Sequence, residues 1–314
     1  MNCNRFNILS LDGGGIKGLF SAYLLQKFEE DHGVELVDHF DLIVGTSTGG
    51  IIAIALGLGR KPREIVDLYT NLGQRIFPGP AWWRNTVRWF RAPYAAGPLE
   101  AELKKCFGDR PLGASTKRLV IPSYDLGQRE VRLFKTRHHA RFVRDPLVPA
   151  WKVGLATSAA PTFFPAFRDI EERRLIDGGI WANNPIMVGI VEALAVLNVP
   201  REAIRVLSIG TTAEAIYPSD RLDHGGKLAW AKGSVDEAFQ GQASGAHGQA
   251  KLFLGAENVL RLNLMVPKGL HALDRAIPER LKAAAAHLSM HEGPRIKKMF
   301  LDHIAPEFIP EKLP

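Results

Sequence analysis

Cysteine is scarce in this chain, whose 314 residues include only Cys3 and Cys106. Two cysteines provide neither a disulfide framework nor the spacing of a cysteine-rich zinc site. Long apolar runs are missing as well, because glycine and hydroxyl residues interrupt the most apolar stretch, residues 41–59. The amino-terminal residues lack the apolar segment and the cleavage site of a secretory signal. We therefore expect a cytoplasmic protein that contacts a membrane without crossing it.

Internal repeats, low-complexity tracts and charged tails are also absent, and no linker divides the sequence. Apolar residues make up 46% and charged residues 23% of the chain, as is usual for globular proteins. We therefore predict a single domain over residues 1–314. Basic residues outnumber acidic ones by 40 to 33, which gives a net charge of +7. This charge suits a nucleic acid, an anionic lipid or a nucleotide, and by itself favours none of them.

The first 60 residues alternate between strand-like and helix-like segments. A short β-type run, a glycine loop and a helical segment are followed by an apolar strand, a tight turn and a second helix. Further strands and helices follow up to residue 210. This order predicts an α/β fold with a mostly parallel central sheet and helices on both faces. Residues 211–314 show weaker periodicity, so we expect this C-terminal part to be less regular.

A serine between glycines joins two of these apolar segments, in the sequence Gly45-Thr46-Ser47-Thr48-Gly49. This pattern, with a strand before it and a helix after it, is typical of a nucleophile elbow that exposes the serine hydroxyl. The helix that follows directs its N-terminal N–H groups toward the place where negative charge develops. A plain tight turn is the alternative. Only 46 residues precede the serine, too few for the strands of an α/β-hydrolase, so the elbow belongs to a different sheet.

A loop of three consecutive glycines, Gly13, Gly14 and Gly15, follows the first strand and begins a helix. Without side chains, its N–H groups can face a ligand directly. One interpretation is a phosphate loop, although the Walker pattern is absent and the dinucleotide fingerprint lacks its acidic residue at the end of a second strand. The other interpretation is an oxyanion hole, which the nearby serine turn favours. Asp12 and Lys17 flank the loop.

Further along the chain, Asp177 stands at the end of a predicted strand and is followed by Gly178 and Gly179. Ligand sites form at the carboxyl ends of parallel strands, so this carboxylate is a candidate base for Ser47. A carboxylate is a weak base, and it needs close geometry or partial desolvation for this task. Asp-Gly is also a common turn pair, and taken alone the pattern favours a turn.

Together, the three motifs Asp-Gly-Gly-Gly-Ile-Lys-Gly, Gly-Thr-Ser-Thr-Gly and Asp-Gly-Gly resemble those of the patatin-like phospholipases. The segments ATSAAPTFFP (156–165) and WANNP (181–185) also resemble segments of that family, so the likeness covers residues 6–210. The combination is specific, whereas each motif alone is not. The resemblance implies a three-layer sandwich and a lipid acyl hydrolase of the phospholipase A type, which needs neither a metal nor a cofactor.

By the same resemblance, Ser47 is the nucleophile and Asp177 the base of a Ser–Asp dyad that has no catalytic histidine. Gly13, Gly14 and Gly15 are the implied oxyanion-hole residues. The motif residues that support them are Asp12, Lys17, Gly45, Gly49, Gly178 and Gly179. The family often has arginine in place of the lysine, so this chain keeps the charge but loses the capacity for bidentate hydrogen bonding.

The opening segment ILSLDGGGIKGLFSAYLL and the compact length are similar to those of bacterial patatin-like effectors of anti-phage signalling systems. This resemblance implies activation by a cyclic dinucleotide and degradation of membrane phospholipids during antiviral defence. The expected partners are therefore a phospholipid surface, contacted at the inner membrane when the enzyme is active, and a cyclic dinucleotide activator. No DNA or RNA partner is expected, and assembly into a homo-oligomer is left open.

Two alternatives stay open at the level of sequence. The glycine loop could serve a nucleotide-binding signalling module without hydrolysis. The other alternative is a Ser-His-Asp esterase with His224 or His247 as its third member. The position of the serine argues against the fold that uses this triad.

Two further segments are rich in aromatic or basic residues. Aromatic residues and arginines mix in 78–98, which we interpret either as a lid or cap that docks on a membrane or as core packing. Residues 129–145 are strongly basic and could bind phosphate, although a solvated basic face is the simpler interpretation. The adjacent His138 and His139 have no further ligand at metal-binding spacing, so we predict no metal site.

Overall fold

The computed structural model describes residues 5–76, 94–214, 224, 227–266 and 278–312. Within these ranges, a seven-stranded sheet lies between two layers of helices. The strands are β1 (Phe6–Leu11), β2 (Leu42–Gly45), β3 (Arg118–Asp125), β4 (Glu130–Lys135), β5 (Leu175–Asp177), β6 (Ile204–Ile209), β7 (Ala213–Glu214), β8 (Val259–Leu262) and β9 (Met265–Val266). The helices are α1 (Gly18–His32), α2 (Thr48–Gly57), α3 (Pro62–Ile76), α4 (Gly97–Phe107), α5 (Ala150–Ser158), α6 (Gly179–Ala182), α7 (Ile186–Ala195), α8 (Lys227–Leu254) and α9 (Pro278–Phe300).

The parallel strands of the sheet lie in the order β3-β2-β1-β6-β8, which places β1 in the centre. β4 and β5 both pair antiparallel with β3, and β7 forms a separate pair with β9. Every residue of β1 is buried, as expected for a central strand covered on both faces. The mostly parallel sheet that the sequence predicts is therefore confirmed.

Alternate side chains of the central strands enter two separate hydrophobic cores. Leu9 on β1 and Ile43 on β2 belong to the core that also holds the apolar sides of α1, α2 and α5. Ile8 on β1 and Leu42 on β2 belong to the core on the opposite face, which α7 and α8 cover. Because strand side chains alternate between faces, a sheet that is apolar on both faces needs a helical layer on each. The result is the three-layer α/β sandwich that the sequence resemblance implies.

Two strands occupy the same edge of β3 from opposite directions. β2 pairs with the beginning of β3, as far as Val44 opposite Val120. β5 pairs with the end of β3, where Asp177 lies opposite Ser123. Since β4 fills the other edge of β3, β2 and β5 meet end to end. This arrangement corrects the argument that placed Asp177 at the end of a parallel strand, because β5 is antiparallel and points at the end of β2.

The C-terminal part is more regular than the sequence predicts. Weak periodicity in 211–314 predicts irregular structure, but α8 has 28 residues and α9 has 23. Glycines lower the intrinsic helical propensity of α8. Ala246, Ala250 and Leu254 are nevertheless buried against the sheet, and this packing stabilises the helix. The single-domain organisation of the whole chain stays a prediction.

The predicted lid or cap over 78–98 falls largely on residues 77–93, which lie outside the described part of the chain. At its end, Tyr94 is buried, and its ring stacks on Phe163 at 6.4 Å between centroids. The core-packing interpretation therefore holds for this one residue. No helix in the described ranges has the length and apolar character that a membrane span requires.

Candidate active site

Ser47 lies in a tight turn between the carboxyl end of β2 and the first turn of α2. Its φ of 54° and ψ of −121° are unfavourable for a residue with a side chain, which is the strain expected of an elbow. The flanking glycines are required by close backbone approach. A Cβ atom on Gly45 would lie 2.2 Å from the carbonyl oxygen of Gly49, and one on Gly49 would lie 2.2 Å from that of Leu11.

The hydroxyl of Ser47 donates a hydrogen bond of 2.6 Å to Oδ2 of Asp177. The other carboxylate oxygen, Oδ1, accepts a hydrogen bond of 2.7 Å from the backbone N–H of Gly179. The backbone N–H of Asp177 donates to the carbonyl oxygen of Ala159 at 3.0 Å, which fixes the end of β5. The structure thus brings together the two residues that the sequence analysis selects as nucleophile and base.

Burial raises the pKa of Asp177 to about 6. The hydrogen bonds from Ser47 and Gly179 act in the opposite direction, but desolvation of the carboxylate is the larger effect. A carboxylate with this pKa is ionised near neutral pH and is a stronger proton acceptor than an exposed aspartate. The site therefore has the partial desolvation that a carboxylate base needs.

Thr157, at the end of α5, supports the serine turn from behind. Its hydroxyl accepts a hydrogen bond of 2.9 Å from the backbone N–H of Ser47 and donates one of 2.5 Å to the carbonyl oxygen of Pro122. Its own carbonyl oxygen accepts the N–H of Gly178 at 3.2 Å. One residue thus connects the nucleophile turn, β3 and the turn after Asp177. No local pattern in the segment 156–165 indicates this role for Thr157.

The glycine loop lies directly beside the serine. A Cβ atom on Gly13 would lie 3.3 Å from the Cβ atom of Ser47, and one on Gly14 would lie 2.0 Å from Oγ1 of Thr211. The N–H of Gly13 already donates to the carbonyl oxygen of Asn183 at 3.0 Å. Within the part of the chain that the structure describes, the N–H groups of Gly14 and Gly15 have no backbone acceptor. These two amides therefore differ from that of Gly13, whose N–H is already engaged by Asn183.

Asp12, which precedes the glycines, is buried and forms an ion pair with Arg261 on β8. Burial raises the pKa of the Asp12 carboxyl, and the positive charges of Arg261 and Lys17 oppose that rise. Lys17 is itself buried. Asp12 and Lys17 belong to a sequence motif, whereas Arg261 could not be found from the sequence, because a lone arginine in a late strand belongs to no local motif.

The two glycines after Asp177 serve different structural purposes. A Cβ atom on Gly178 would lie 2.4 Å from the carbonyl oxygen of Pro122, so this position admits no side chain without a shift of β3. Gly179 begins α6 and supplies the N–H group that binds the Asp177 carboxylate. The Asp-Gly-Gly motif is therefore a tight turn and a carboxylate site at once.

No histidine among the described residues hydrogen-bonds to Ser47 or Asp177. His247 lies on α8, where burial lowers its pKa to about 4, with Lys251 and Arg261 adding to the effect. The other candidate, His224, makes no hydrogen bond to either residue. The geometry therefore favours a two-residue arrangement over the Ser-His-Asp alternative.

Part of the basic segment 129–145 is paired with acidic side chains. Lys135 and His138 contact the carboxylate of Glu192, at 2.6 Å and 2.9 Å. Arg132 pairs with Asp145. The sequence left a phosphate site open beside the simpler interpretation of a solvated basic face, and it gave no sign of Glu192, which comes from α7. These contacts join β4 to α7, and the cationic groups in them are not free to bind phosphate.

The fold and the site define the class of protein. The model of the patatin-like phospholipase family matches residues 9–190, and the chain belongs to this family. It is a lipid hydrolase. The described serine elbow, its aspartate neighbour and the glycine loop all fall within the matched residues.

Two curated relatives and one solved structure resemble this chain. A cGAMP-activated phospholipase of Vibrio cholerae serotype O1 is 33% identical over 254 residues, which cover 73% of this chain and 72% of the relative. A cGAMP-activated phospholipase of Pseudomonas aeruginosa is 31% identical over 286 residues, which cover 90% of this chain and 82% of the relative. Among solved structures, VipD from Legionella pneumophila has a TM-score of 0.50 at 12% identity, with 95% of this chain and 67% of that chain covered, and it shares the fold.

Proposed function

We propose that the chain hydrolyses fatty-acyl esters of membrane phospholipids, with Ser47 as nucleophile and Asp177 as general base. The hydrogen bond of 2.6 Å between the Ser47 hydroxyl and the Asp177 carboxylate carries this proposal. A serine hydroxyl is a poor nucleophile and needs an adjacent base. The buried carboxylate, with its pKa of about 6, stands where that base must be.

In the first half of the reaction, the Ser47 oxygen attacks the ester carbonyl carbon while its proton passes to Asp177. The N–H groups of Gly14 and Gly15 donate hydrogen bonds to the oxyanion of the tetrahedral intermediate. When the intermediate collapses, the ester C–O bond breaks and Asp177 returns the proton to the departing alcohol. A lysophospholipid leaves, and the fatty acyl group stays on Ser47.

In the second half, water attacks the acyl-enzyme and gives its proton to Asp177. The same two amides bind the new oxyanion. The bond to the Ser47 oxygen then breaks, the serine recovers its proton from Asp177, and the fatty acid is released. Every proton transfer uses one carboxylate, so the cycle needs no histidine.

Incubation of the protein with phosphatidylethanolamine and phosphatidylglycerol vesicles, followed by lipid mass spectrometry, tests this proposal. We expect free fatty acid and lysophospholipid from the wild type, and a loss of at least about 10³-fold in rate for Ser47→Ala and for Asp177→Asn. Ser289→Ala is the matched control, since it removes a buried serine hydroxyl that bonds Asp31 on another helix. Activity that survives in Ser47→Ala would exclude this mechanism.

A fluorophosphonate probe separates the roles of the two residues. Labelling should disappear in Ser47→Ala because the attacked oxygen is gone. In Asp177→Asn the serine is still present, so labelling should continue at a reduced rate. Equal and complete loss in both variants would argue against separate roles for nucleophile and base.

We further propose that a cyclic dinucleotide activates the hydrolase, and that it degrades the host membrane in bacterial anti-phage defence. The names of the relatives from Vibrio cholerae and Pseudomonas aeruginosa support this, because both are cGAMP-activated phospholipases. The vesicle assay is then repeated with cyclic GMP–AMP, cyclic di-GMP, cyclic di-AMP and a linear dinucleotide. Low basal activity that rises only with a cyclic compound is expected, whereas full basal activity would contradict the activation.

A further inference from the structure

We infer that Arg261 is a positioning residue for the oxyanion loop, which it holds through the carboxylate of Asp12. This inference rests on the proposed function, in which Gly14 and Gly15 bind the oxyanion. Arg261 lies on β8, beyond the residues 9–190 that the family model matches.

The guanidinium group of Arg261 forms a bidentate hydrogen-bonded ion pair with the carboxylate of Asp12. Nη1 donates to Oδ1 of Asp12 at 2.7 Å, and Nη2 donates to Oδ2. Nη1 also donates to the hydroxyl of Ser208 at 2.7 Å. A planar guanidinium that binds both oxygens of a carboxylate fixes its orientation as well as its position, which a single point charge does not.

The sheet places this contact across three strands. Ser10 on β1 pairs with Ser208 on β6, and Ser208 in turn pairs with Arg261 on β8. Asp12 lies two residues beyond Ser10, at the end of β1. The arginine side chain therefore passes over β6 and reaches the last residue before the glycines.

The loop itself has few side chains with which to fix its shape. Asp12 is anchored by its N–H, which donates to Ile209 at 3.0 Å, and by its carboxylate. Gly13, Gly14 and Gly15 have no side chains and a wide range of backbone conformations. Gly13 is hydrogen-bonded to Asn183 and Thr211, and the orientation of the loop depends in addition on how firmly the preceding residue, Asp12, is held.

The electrostatic surroundings make Arg261 difficult to replace. Asp12 is buried, and two positive charges act on it, those of Arg261 and Lys17. Lys17 follows the glycines, whereas Arg261 approaches from β8. Among the described residues that act on this carboxylate, Lys17 is the cation that stays when the arginine is removed. It attracts the carboxylate from the loop rather than from β8.

The test uses steady-state hydrolysis of a soluble p-nitrophenyl ester by the full chain, with cyclic GMP–AMP added for every variant. Arg261→Gln is expected to lower kcat about 10- to 100-fold with KM within about twofold, because misplaced donors weaken transition-state binding more than ground-state binding. Arg261→Lys should recover part of the loss. Arg201→Gln is the matched control, because it breaks an exposed pair with Glu202 and should leave kcat unchanged.

A double variant tests whether the arginine acts through Asp12. Asp12→Asn combined with Arg261→Gln should lose no more kcat than Arg261→Gln alone, because both changes break one interaction. If the double variant instead lost kcat by the product of the losses in the two single variants, the inference would be overturned. A lowered melting temperature with kcat within twofold of wild type would overturn it too, since the arginine would then only stabilise the fold.

Ser208→Ala covers the case in which Arg261→Gln does not fold. It removes the hydroxyl that accepts from Nη1, together with a long hydrogen bond of that hydroxyl to Asn184, and leaves the ion pair in place. We expect a fall of about threefold in kcat with KM unchanged, and an unchanged kcat would overturn the inference. Failure of the proposed function is recognised separately, because it would appear as activity in Ser47→Ala.

Discussion

The side chain of Thr211 occupies the space that a Cβ atom on Gly14 would need. Such an atom would lie 2.0 Å from Oγ1 of Thr211 and 2.5 Å from its Cβ. Thr211 follows β6, and its hydroxyl donates to the carbonyl oxygen of Gly13 at 3.1 Å. The glycine loop is thus fitted against the end of β6, and the absence of a side chain at Gly14 is a steric requirement of that contact.

Gly14→Ala should therefore displace the loop, and removal of the Thr211 side chain should relieve the steric clash. We expect a loss of about 100-fold or more in kcat/KM for Gly14→Ala. The double variant Gly14→Ala/Thr211→Gly should recover at least about tenfold, because all three atoms nearest the new Cβ belong to Thr211. Ester hydrolysis measures both, with Thr211→Gly alone as the control. A double variant no better than Gly14→Ala would contradict the steric explanation.

The pH dependence of the reaction should reflect the ionisation of Asp177. The base must be deprotonated to accept the serine proton, and its pKa is raised to about 6 by burial. The value of kcat/KM for the wild type should therefore be constant above neutral pH and fall about tenfold per pH unit well below 6. A pH–rate profile with a soluble ester measures this fall in kcat/KM at acidic pH. A rate that stays constant down to pH 4.5 would exclude Asp177 as the base.

The same carboxylate should destabilise the folded chain at neutral pH. Its pKa is about 6 in the fold and near 3.8 in the unfolded chain, so the native state holds its proton more tightly. The free energy of unfolding that depends on Asp177 therefore decreases as pH rises from about 4 to 6. Asp177→Asn removes the buried charge and should stabilise the protein by about 1 to 3 kcal/mol at pH 7, with little gain at pH 4.

Urea unfolding of Asp177→Asn at both pH values checks this expectation. Asp125→Asn is the contrasting variant, since that buried carboxylate pairs with Arg173 at 3.1 Å and accepts the N–H of Gly127. Its replacement should destabilise the fold at pH 7. If Asp177→Asn were also less stable than wild type at pH 7, the hydrogen bonds of the site would outweigh the burial of its charge.

For stability and kcat, the hydroxyl group of Thr157 should be more important than the volume of its side chain. Thr157→Val leaves the buried N–H of Ser47 without its acceptor, which costs about 1 to 3 kcal/mol of stability, and we expect kcat to fall about tenfold. Thr157→Ser keeps the hydroxyl and should stay within about threefold of wild type. Thermal unfolding and ester hydrolysis measure the two effects. Similar kcat values for the two variants would show that the hydrogen bond does not hold the elbow.

The resemblance of three short motifs taken together, rather than any one of them, is what allowed the sequence to indicate Ser47, Asp177 and the glycine loop. A serine in strained backbone needs small neighbours, and each motif records such a requirement within a few residues. The contact between Ser47 and Asp177 is different, because it depends on β5 entering the sheet antiparallel at the edge of β3. No spacing in the sequence specifies that direction, so the sequence could not predict how β5 enters the sheet. The structure brings Ser47 and Asp177 together, and their catalytic roles stay a prediction.

Contacts between distant segments account for what the sequence missed. Arg261 and Asp12 are separated by 249 positions in the sequence, and Glu192 and Lys135 by 57. Neither Arg261 nor Glu192 belongs to a local pattern. Helix α8 illustrates the same limitation for the fold. Its glycines and alanines give weak periodicity, yet small residues allow it to lie close to the sheet, where burial outweighs poor propensity.

During translation, Ser47 is made 130 residues ahead of Asp177. The three residues of β5 need the end of β3 as their pairing partner, where Asp177 lies opposite Ser123. On the proposed mechanism, a nascent or truncated chain that stops before residue 177 holds a serine with no proton acceptor. On that mechanism, the catalytic pair forms only in a chain whose β5 has already paired with the end of β3.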